Sequence, residues 1–361
     1  MNAKEHFPFL DIFRIAICVV ILLFHAIVKK IWLLEPNTAI YINLYVGAIY
    51  MDAFFILSGF LLFYLHGEKF CNITEGKIKN FYIKRLIRIY PQYIFYFLTI
   101  LLCTKQFNPI ILPVEILCLQ GFFPSLFKLL GNGGTWFISC LFFSYLLFPI
   151  VSKLVLKTKK NFLSIILIYL LLVYISMLSA IYKMGWVPVY INPIYRMLEF
   201  AIGMYLANIF IQCSKIKNIN YVFISLISIL LLFALVPILY KNNYINGLDF
   251  KNIYIYYNCI TIPLFSIIIF SLAKIKNKLS EKLNKSRLLS FLAKITFPFY
   301  LWQGLAQTFT KQYFMNSKEP IFWLIAMCFT FSIVAYLIFD KFLTNKINSF
   351  LASFEREQSL R

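Results

Sequence analysis

The sequence predicts an all-α, polytopic integral membrane protein with about ten transmembrane helices. Apolar residues make up 61% of the 361 residues and charged residues only 14%, whereas soluble domains are about half apolar and a quarter charged. Apolar runs of about 18 residues or more recur along the whole chain, and each is long enough to cross a bilayer. Because no polar linker divides them, we expect one membrane domain over residues 1–345 and a short cytoplasmic tail over residues 346–361.

The boundaries of the predicted helices follow these apolar runs. The segment 109–123 is also apolar, but its short length and its two prolines, Pro109 and Pro113, favour a re-entrant or interfacial piece over a full crossing. The predicted spans are 8–28, 42–65, 87–103, 135–152, 162–182, 194–212, 219–240, 252–273, 289–310 and 320–340.

Basic side chains predict the orientation of these spans. With the N-terminus in the cytoplasm, 23 of the 35 Lys and Arg residues fall on the cytoplasmic side and 9 on the opposite side. This bias follows the positive-inside rule, and an even number of crossings then places both termini in the cytoplasm. The charges lie in short loops rather than on one face, so the net charge of +21 indicates membrane topology and not nucleic-acid binding.

The eight cysteines give no sign of a metal site. They form no CxxC pair and show no spacing typical of metal ligands. Most of them fall inside apolar spans, where cysteine behaves as a small hydrophobic residue. The sequence therefore predicts neither a metal ion nor a permanently bound cofactor.

The first predicted helix carries three polar side chains that are costly at membrane depth. Asp11 and Arg14 are three residues apart and can pair on one face. Arg14 and His25 are eleven residues apart, close to three full turns, so they share a face with about 16 Å of axial rise between them. In the alternative interpretation, Asp11 and Arg14 anchor the helix at the interface, and His25 bonds to a neighbouring helix.

Further polar residues fall in other spans at a similar depth. Under the predicted orientation, Asp52, Arg196, Glu199 and Gln303 lie with His25 in the outer part of the membrane. Convergence from four helices favours a functional site over simple interhelical hydrogen bonding.

A basic cluster is expected at the cytoplasmic start of the third helix. Arg85 and Arg88 share a helical face there, and Lys84 adjoins them. One interpretation is an ordinary basic stop at the membrane surface. The other is a phosphate site, because the arginine guanidinium offers paired donors to phosphate oxygens.

Six segments in order give the chain a resemblance to a known family. Its first-helix, second-helix and RxxR segments, and then three later ones, are similar to motifs of the acyltransferase-3 family of membrane-bound O-acyltransferases. Where many members have a histidine after the late tryptophan, this chain has Gln303, and a common Glu-Lys-Pro-like ending appears as Asp340-Lys341-Phe342. The segments are LDIFRIAICVVILLFHA, MDAFFILSGFLL, KRLIRIYPQY, GTWFISCLFFSYLLFP, NPIYRMLEFAIGMYLA and ITFPFYLWQ.

The resemblance covers nearly the whole chain and implies a function. Members transfer an acyl group, often acetyl, from cytoplasmic acyl-CoA to a hydroxyl of an extracytoplasmic or lipid-linked glycan. By resemblance, the essential histidine is His25, the first-helix arginine is Arg14, and the RxxR pair is Arg85 and Arg88. We expect acyl-CoA, an envelope glycan and the lipid bilayer as partners, in a bacterial cytoplasmic membrane, with homo-oligomer formation left open and no nucleic acid.

Roles for the remaining residues follow from their predicted depth. The basic cluster would bind the nucleotide phosphates of acyl-CoA. Arg14, paired with Asp11, would line the entrance to the site, and the thioester would reach His25. The imidazole would act as a general base or as an acyl carrier. Either predicted carboxylate, Asp52 or Glu199, would orient the ring. Arg196 or Ser58 would donate to the developing oxyanion, although Ser58 is equally typical of close helix packing.

Two other functions fit parts of this pattern. A transporter or flippase for an envelope glycan would suit ten helices with intramembrane charges. An assembly protein with degenerate catalytic residues would suit Gln303. The acceptor glycan and the choice of acetyl, succinyl or a longer acyl group stay open.

Overall fold

The computed structural model describes residues 5–36, 38–104, 108–127, 134–213, 219–245, 250–347 and 349, with backbone alone for 242–245 and 250–256. Every regular element in these ranges is a helix, and short 3-10 turns join some of them. The helices are α1 (Pro8–Val28), α2 (Ala39–Tyr45), α3 (Tyr50–His66), α4 (Glu75–Thr104), α5 (Ile111–Ile116), α6 (Trp136–Lys157), α7 (Asn161–Ile181), α8 (Val187–Tyr190), α9 (Pro193–Gln212), α10 (Tyr221–Ile245), α11 (Phe250–Lys274), α12 (Lys278–Asn284), α13 (Arg287–Tyr313) and α14 (Pro320–Ala335).

The all-α, polytopic prediction is confirmed. Within the described ranges, nine helices are long and apolar enough to cross a membrane. The predicted ninth span corresponds to α13, which has 27 residues and would be about 40 Å long, but which carries Lys294 and Lys311 among its apolar residues. The orientation of the termini stays a prediction. The predicted tail 346–361 lies outside the described residues apart from 346, 347 and 349.

Two predicted spans have different boundaries in the structure. The span 42–65 is interrupted, because α2 ends at Tyr45 and a 3-10 turn (Gly47–Ile49) precedes α3. A Cβ at Gly47 would lie 2.6 Å from the Phe24 Cβ, so this break packs directly against α1. The predicted span 42–65 places Asp52 near its middle, and this placement is wrong, since Asp52 occupies the first turn of α3.

The second difference concerns the basic cluster. Helix α4 begins at Glu75, twelve residues before the predicted start at 87. Arg85 and Arg88 therefore lie well inside a long helix and not at its first turn. The short segment after α4 agrees with the prediction, because 109–123 forms only α5 and a 3-10 turn (Gln120–Phe122), neither long enough to cross a bilayer.

Helices α3 and α9 pack with their backbones in direct contact. A Cβ on Gly59 would lie 1.9 Å from the Phe200 carbonyl oxygen, and a Cβ on Gly203 would lie 1.9 Å from the Ile56 carbonyl oxygen. Glycine at these two positions lets the two backbones touch, as small residues do in membrane bundles. The close packing expected of the Ser-Gly pair is made by Gly59, whereas Ser58 is half-buried.

Helices α1 and α13 form the second important pair. They pack along their length, and the Cys18 thiol on α1 donates to the Thr296 carbonyl oxygen on α13 at 3.6 Å. Residues near the start of both helices line one cavity, and residues nearer their ends line another. The two helices therefore run parallel, and both cavities lie beside α1.

Candidate active site

The first cavity, here called the arginine cavity, has a volume of about 210 Å³. Its basic side chains come from three helices that lie apart in the sequence: α1, α4 and α13. The sequence predicts that Arg14, Arg85 and Arg88 act together, whereas no role was predicted for Lys294, which lies within the predicted span 289–310. The lining residues that bear on function are Arg14, Ser58, Arg85, Arg88, Lys294 and Tyr300.

Two guanidinium groups in the arginine cavity have an N–H donor without a hydrogen-bond partner among the described residues. Arg14 Nη2 donates to Asp11 Oδ1 at 2.8 Å, and Asp11 Oδ2 also lies 2.7 Å from the His6 Nε2. The Nε atoms of Arg14 and Arg85 are buried and have no hydrogen-bond partner among the described residues. Because buried unpaired donors are costly, this cavity suits an anion with several oxygens. Lys84 is exposed and does not contribute to the described lining.

The second cavity, here called the histidine cavity, is much smaller, at about 10 Å³. That is room for roughly one water molecule. Within the described chain, Gln303 Oε1 and Gln307 Nε2 are buried without a hydrogen-bond partner, so an acceptor and a donor are both free at this site. The lining residues that bear on function are His25, Tyr96, Thr135, Tyr300, Gln303 and Gln307.

Tyr300 lies between the two cavities and lines both of them. Its hydroxyl donates to the Gly134 carbonyl oxygen at 3.3 Å. Its ring packs against Phe137, with ring centroids 4.8 Å apart, and against Phe54 at 6.1 Å. An intact α1 carries Arg14 to one cavity and His25 to the other, which is the shared face that their spacing predicts.

The remaining predicted polar residues form a separate ion cluster at the α3–α9 contact. Arg196 Nη1 lies 2.7 Å from both Asp52 Oδ1 and Glu199 Oε2, and its Nε donates to the Tyr190 carbonyl oxygen at 2.8 Å. The Thr261 hydroxyl donates to Asp52 Oδ2 at 2.7 Å. All three charged side chains are fully buried.

This ion cluster changes the geometry expected around His25. In the described part of the chain, no hydrogen bond joins the imidazole to Asp52 or Glu199, and neither carboxylate lines the histidine cavity. Ser58 lines the arginine cavity and not the histidine cavity. The catalytic roles of these residues stay predictions, but in this conformation the carboxylates act on Arg196 and not on the imidazole.

Sequence reasoning missed a buried carboxyl beside the histidine cavity. Glu115 on α5 accepts hydrogen bonds from the Tyr93 hydroxyl at 2.5 Å and the Thr135 hydroxyl at 3.0 Å. Gln120 Nε2 donates to the Thr135 carbonyl oxygen at 2.8 Å, so Thr135 is held from two sides. Burial raises the pKa of the Glu115 carboxyl, although the two hydroxyl donors oppose the shift.

Comparison with known families identifies this bundle. A family model described as an acyltransferase domain matches residues 7–339, which is nearly the whole chain. The chain belongs to the acyltransferase-3 family. It is therefore a multi-pass membrane acyltransferase, and the resemblance drawn from its six motifs is confirmed. No curated protein and no solved structure matches it.

Other residues of this acyltransferase site carried weaker sequence signals. Gln307 follows Gln303 by one helical turn, which is a readable pattern. Tyr300 is one aromatic among many and gave no signal. Asp340, in the π-helical segment Tyr336–Leu343 that follows α14, lies close enough to Arg88 to interact with it electrostatically. Single-turn π segments are frequent at functional sites.

Proposed function

We propose that this acyltransferase moves an acyl group, most simply acetyl, from cytoplasmic acyl-CoA to a hydroxyl of an envelope glycan. We place it in the cytoplasmic membrane of a bacterium. One observation carries the proposal: a cationic cavity and a histidine-lined cavity lie along one face of α1 and meet at Tyr300. Acyl-CoA has a polyanionic end and a distant thioester on a long arm, which is the shape this arrangement suits.

The donor's phosphates would bind in the arginine cavity. Arg85 and Arg88 on α4 and Arg14 on α1 would donate to phosphate oxygens. The Nε atoms of Arg14 and Arg85, which have no partner in the described part of the chain, would be additional donors. Lys294 adds a fourth cation from α13. The cavity accommodates the phosphate part of the nucleotide, and the pantetheine arm would pass Tyr300 toward His25.

Neutral His25 would then perform the transfer in one of two ways. As a general base, its imidazole takes the acceptor hydroxyl's proton while that oxygen attacks the thioester carbonyl. The C–S bond breaks, and the imidazolium returns the proton to the CoA thiolate. Alternatively, one imidazole nitrogen attacks the thioester carbonyl, the C–S bond breaks, and the proton on the other ring nitrogen passes to the CoA thiolate. The acceptor oxygen then attacks the acyl-imidazole, the C–N bond breaks, and the hydroxyl proton passes to the imidazole.

The developing oxyanion would be stabilised by the start of α6. Gly134 and Thr135 line the histidine cavity, and α6 begins at the next residue, Trp136. The N-terminus of a helix presents free backbone N–H groups and a positive dipole end to a negative oxygen. On this proposal, Arg196 and its two carboxylates keep α3 and α9 in register, and Glu115 holds Thr135 in place.

The test is a transfer assay in a defined bilayer. Purified protein in proteoliposomes is given labelled acetyl-CoA on the predicted cytoplasmic side and an envelope glycan on the other. We expect His25→Ala to abolish labelling of the glycan, and the matched control His66→Ala, at the far end of α3, to leave it unchanged.

The same assay separates the enzyme from the transporter. Movement of glycan across the membrane without any requirement for acetyl-CoA would overturn the proposed function. Labelling that survives in His25→Ala would keep the enzyme but remove His25 from its chemistry.

A further inference from the structure

A polar stripe continues from the histidine cavity toward the ends of α1 and α13. On α13, Gln303, Gln307 and Lys311 follow one another at four-residue intervals, so they share a face over about 12 Å. On α1, Lys29 follows His25 by the same interval, at the residue that caps the helix. Since the helices run parallel and pack together, the two halves of the stripe face one region.

The inner part of this stripe is built to bind a hydroxyl. Gln303 is 5% exposed and Gln307 is 2% exposed, and both line the histidine cavity beside His25. Among the described residues, each has one buried amide atom without a hydrogen-bond partner, an acceptor on Gln303 and a donor on Gln307. A sugar hydroxyl both donates and accepts, so it satisfies the pair, whereas an apolar ligand would leave both atoms unpaired.

The outer part of the stripe is positively charged. Lys29 caps the end of α1 and Lys311 lies in the last turn of α13, so both cations lie at the same end of two parallel, packed helices. In agreement with this placement, burial and the Lys311 ammonium lower the pKa of Lys29 to about 8. Among the described residues, neither lysine forms a salt bridge with a carboxylate. Two neighbouring cations without a counter-charge repel each other, and a bound anion relieves that repulsion.

We propose that Lys29, Gln303, Gln307 and Lys311 form the acceptor subsite, and that it selects a glycan carrying negative charge near the acylated hydroxyl. This inference rests on the proposed function and narrows its substrate class. The charge has two chemical sources, a sugar carboxylate or the pyrophosphate that joins a glycan to its lipid carrier. Both present oxyanions to the lysines while a hydroxyl reaches the glutamines.

Lysines near a membrane surface also attract anionic lipid headgroups. A headgroup would contact the exposed Lys311 and the half-buried Lys29 without reaching the two glutamines, which are almost completely buried inside the bundle. The glutamines therefore favour an acceptor molecule over lipid, and lipid binding becomes an outcome of the test.

The experiment measures equilibrium binding to the full-length protein in phosphatidylcholine nanodiscs. Two anionic probes are used, labelled oligogalacturonate for sugar carboxylates and farnesyl pyrophosphate for the carrier, with carboxyl-reduced oligogalacturonate as the neutral counterpart. We expect wild type to prefer an anionic probe, and the double variant Lys29→Gln/Lys311→Gln to bind it about tenfold or more weakly. Lys318→Gln, an exposed lysine beyond α13, is the matched control and should bind as wild type.

Gln307→Leu gives an independent readout of the inner part. We expect it to lower the affinity for the carboxylated and for the reduced oligosaccharide by the same factor, because it removes a contact with a hydroxyl and leaves the charge of the subsite unchanged. The anionic probe that binds more tightly shows whether the negative charge comes from a sugar carboxylate or from the carrier's pyrophosphate.

Three results would overturn the inference. These are equal binding of anionic and neutral oligosaccharides with no binding of the pyrophosphate, no binding of any probe, and unchanged probe binding in the lysine variant. If the lysine variant, in a parallel set of nanodiscs that contain phosphatidylglycerol, also retains less of that lipid, the lysines bind lipid headgroups instead. Acetyl-CoA binding is measured on every variant. If wild type itself does not bind acetyl-CoA, the proposed function fails. If it binds acetyl-CoA but gives any of the three results, only the acceptor subsite is refuted.

Discussion

Replacing Arg85 by glutamine tests the donor site most directly. The substitution removes the guanidinium from the arginine cavity, including its buried Nε, which has no hydrogen-bond partner among the described residues, and leaves a shorter, uncharged polar side chain. A hydrogen bond to a charged group contributes about 1.5–3 kcal/mol. Arg85 is half-buried, so the low end applies, and about 1.5 kcal/mol corresponds to an affinity loss of roughly tenfold.

The assay is equilibrium binding of labelled acetyl-CoA to protein in nanodiscs at fixed ionic strength. Lys84→Gln is the matched control, because Lys84 adjoins Arg85 in sequence and carries the same charge but is exposed outside the described cavity lining. Arg14→Gln should lower the affinity for acetyl-CoA less than Arg85→Gln does, since Asp11 already neutralises part of the Arg14 charge. Equal losses in Lys84→Gln and Arg85→Gln would refute the reasoning, because general surface charge and not the cavity would then bind the donor.

Three further changes test other parts of the site. Tyr300→Ala should widen the passage between the cavities and raise hydrolysis of acetyl-CoA in the absence of acceptor, measured as free CoA release, whereas Tyr300→Phe should stay close to wild type. Gly59→Ala should lower stability by about 1–3 kcal/mol or prevent folding, because its Cβ would meet the Phe200 carbonyl oxygen; detergent unfolding curves measure this. Glu115→Gln should remove a pH-dependent loss of stability, followed as thermal midpoints between pH 4 and 8.

The sign of the Glu115 effect follows from its environment. Burial raises the pKa of this carboxyl above its ordinary value of 4.5, so the folded protein holds the proton more tightly than the unfolded chain does. Stability is therefore lost as the pH rises above 4.5 and through the folded pKa. The glutamine variant lacks that loss, so its thermal midpoint should rise relative to that of wild type as the pH rises. A constant difference across the range would contradict the assignment.

Contrary outcomes for the other two changes are equally definite. If Tyr300→Ala releases no more free CoA than Tyr300→Phe, the ring does not limit access to His25. If Gly59→Ala unfolds at the wild-type midpoint, the α3–α9 contact is looser than the backbone positions imply, and Gly203→Ala should then be tolerated too.

Helical periodicity made part of the site predictable. The eleven-residue spacing of Arg14 and His25 fixes a common face on any straight helix, and the structure puts both beside cavities along α1. Arg85 and Arg88 share a face for the same reason. Helix α4 starts earlier than its hydropathy suggests, because residues 75–86 include five charged side chains yet are helical. The pairing of Arg196 with Glu199 was also readable from their three-residue separation.

The parts that sequence could not supply depend on contacts between helices. Nothing local shows which face of α13 turns toward α1, so Lys294 and Tyr300 had no assigned role. The break before α3 lies within a continuous apolar run and is set by the contact of Gly47 with Phe24. The prediction paired Asp52 with His25 only because both were expected at a similar depth in the membrane. In the structure, the packing of α3 on α9 places Asp52 against Arg196.

The small volume of the histidine cavity fits the proposed chemistry. A thioester or an acyl-imidazole is wasted if water reaches it before the acceptor does, so the site gains from excluding water. At about 10 Å³ the cavity cannot hold a thioester together with a sugar hydroxyl, so the proposed transfer requires the site to open when these groups bind. Tyr300 is the side chain through which this opening can be linked to the donor, since it borders both cavities. Phosphate binding beside Arg14 would then be coupled to access at His25, about 16 Å farther along the same helix.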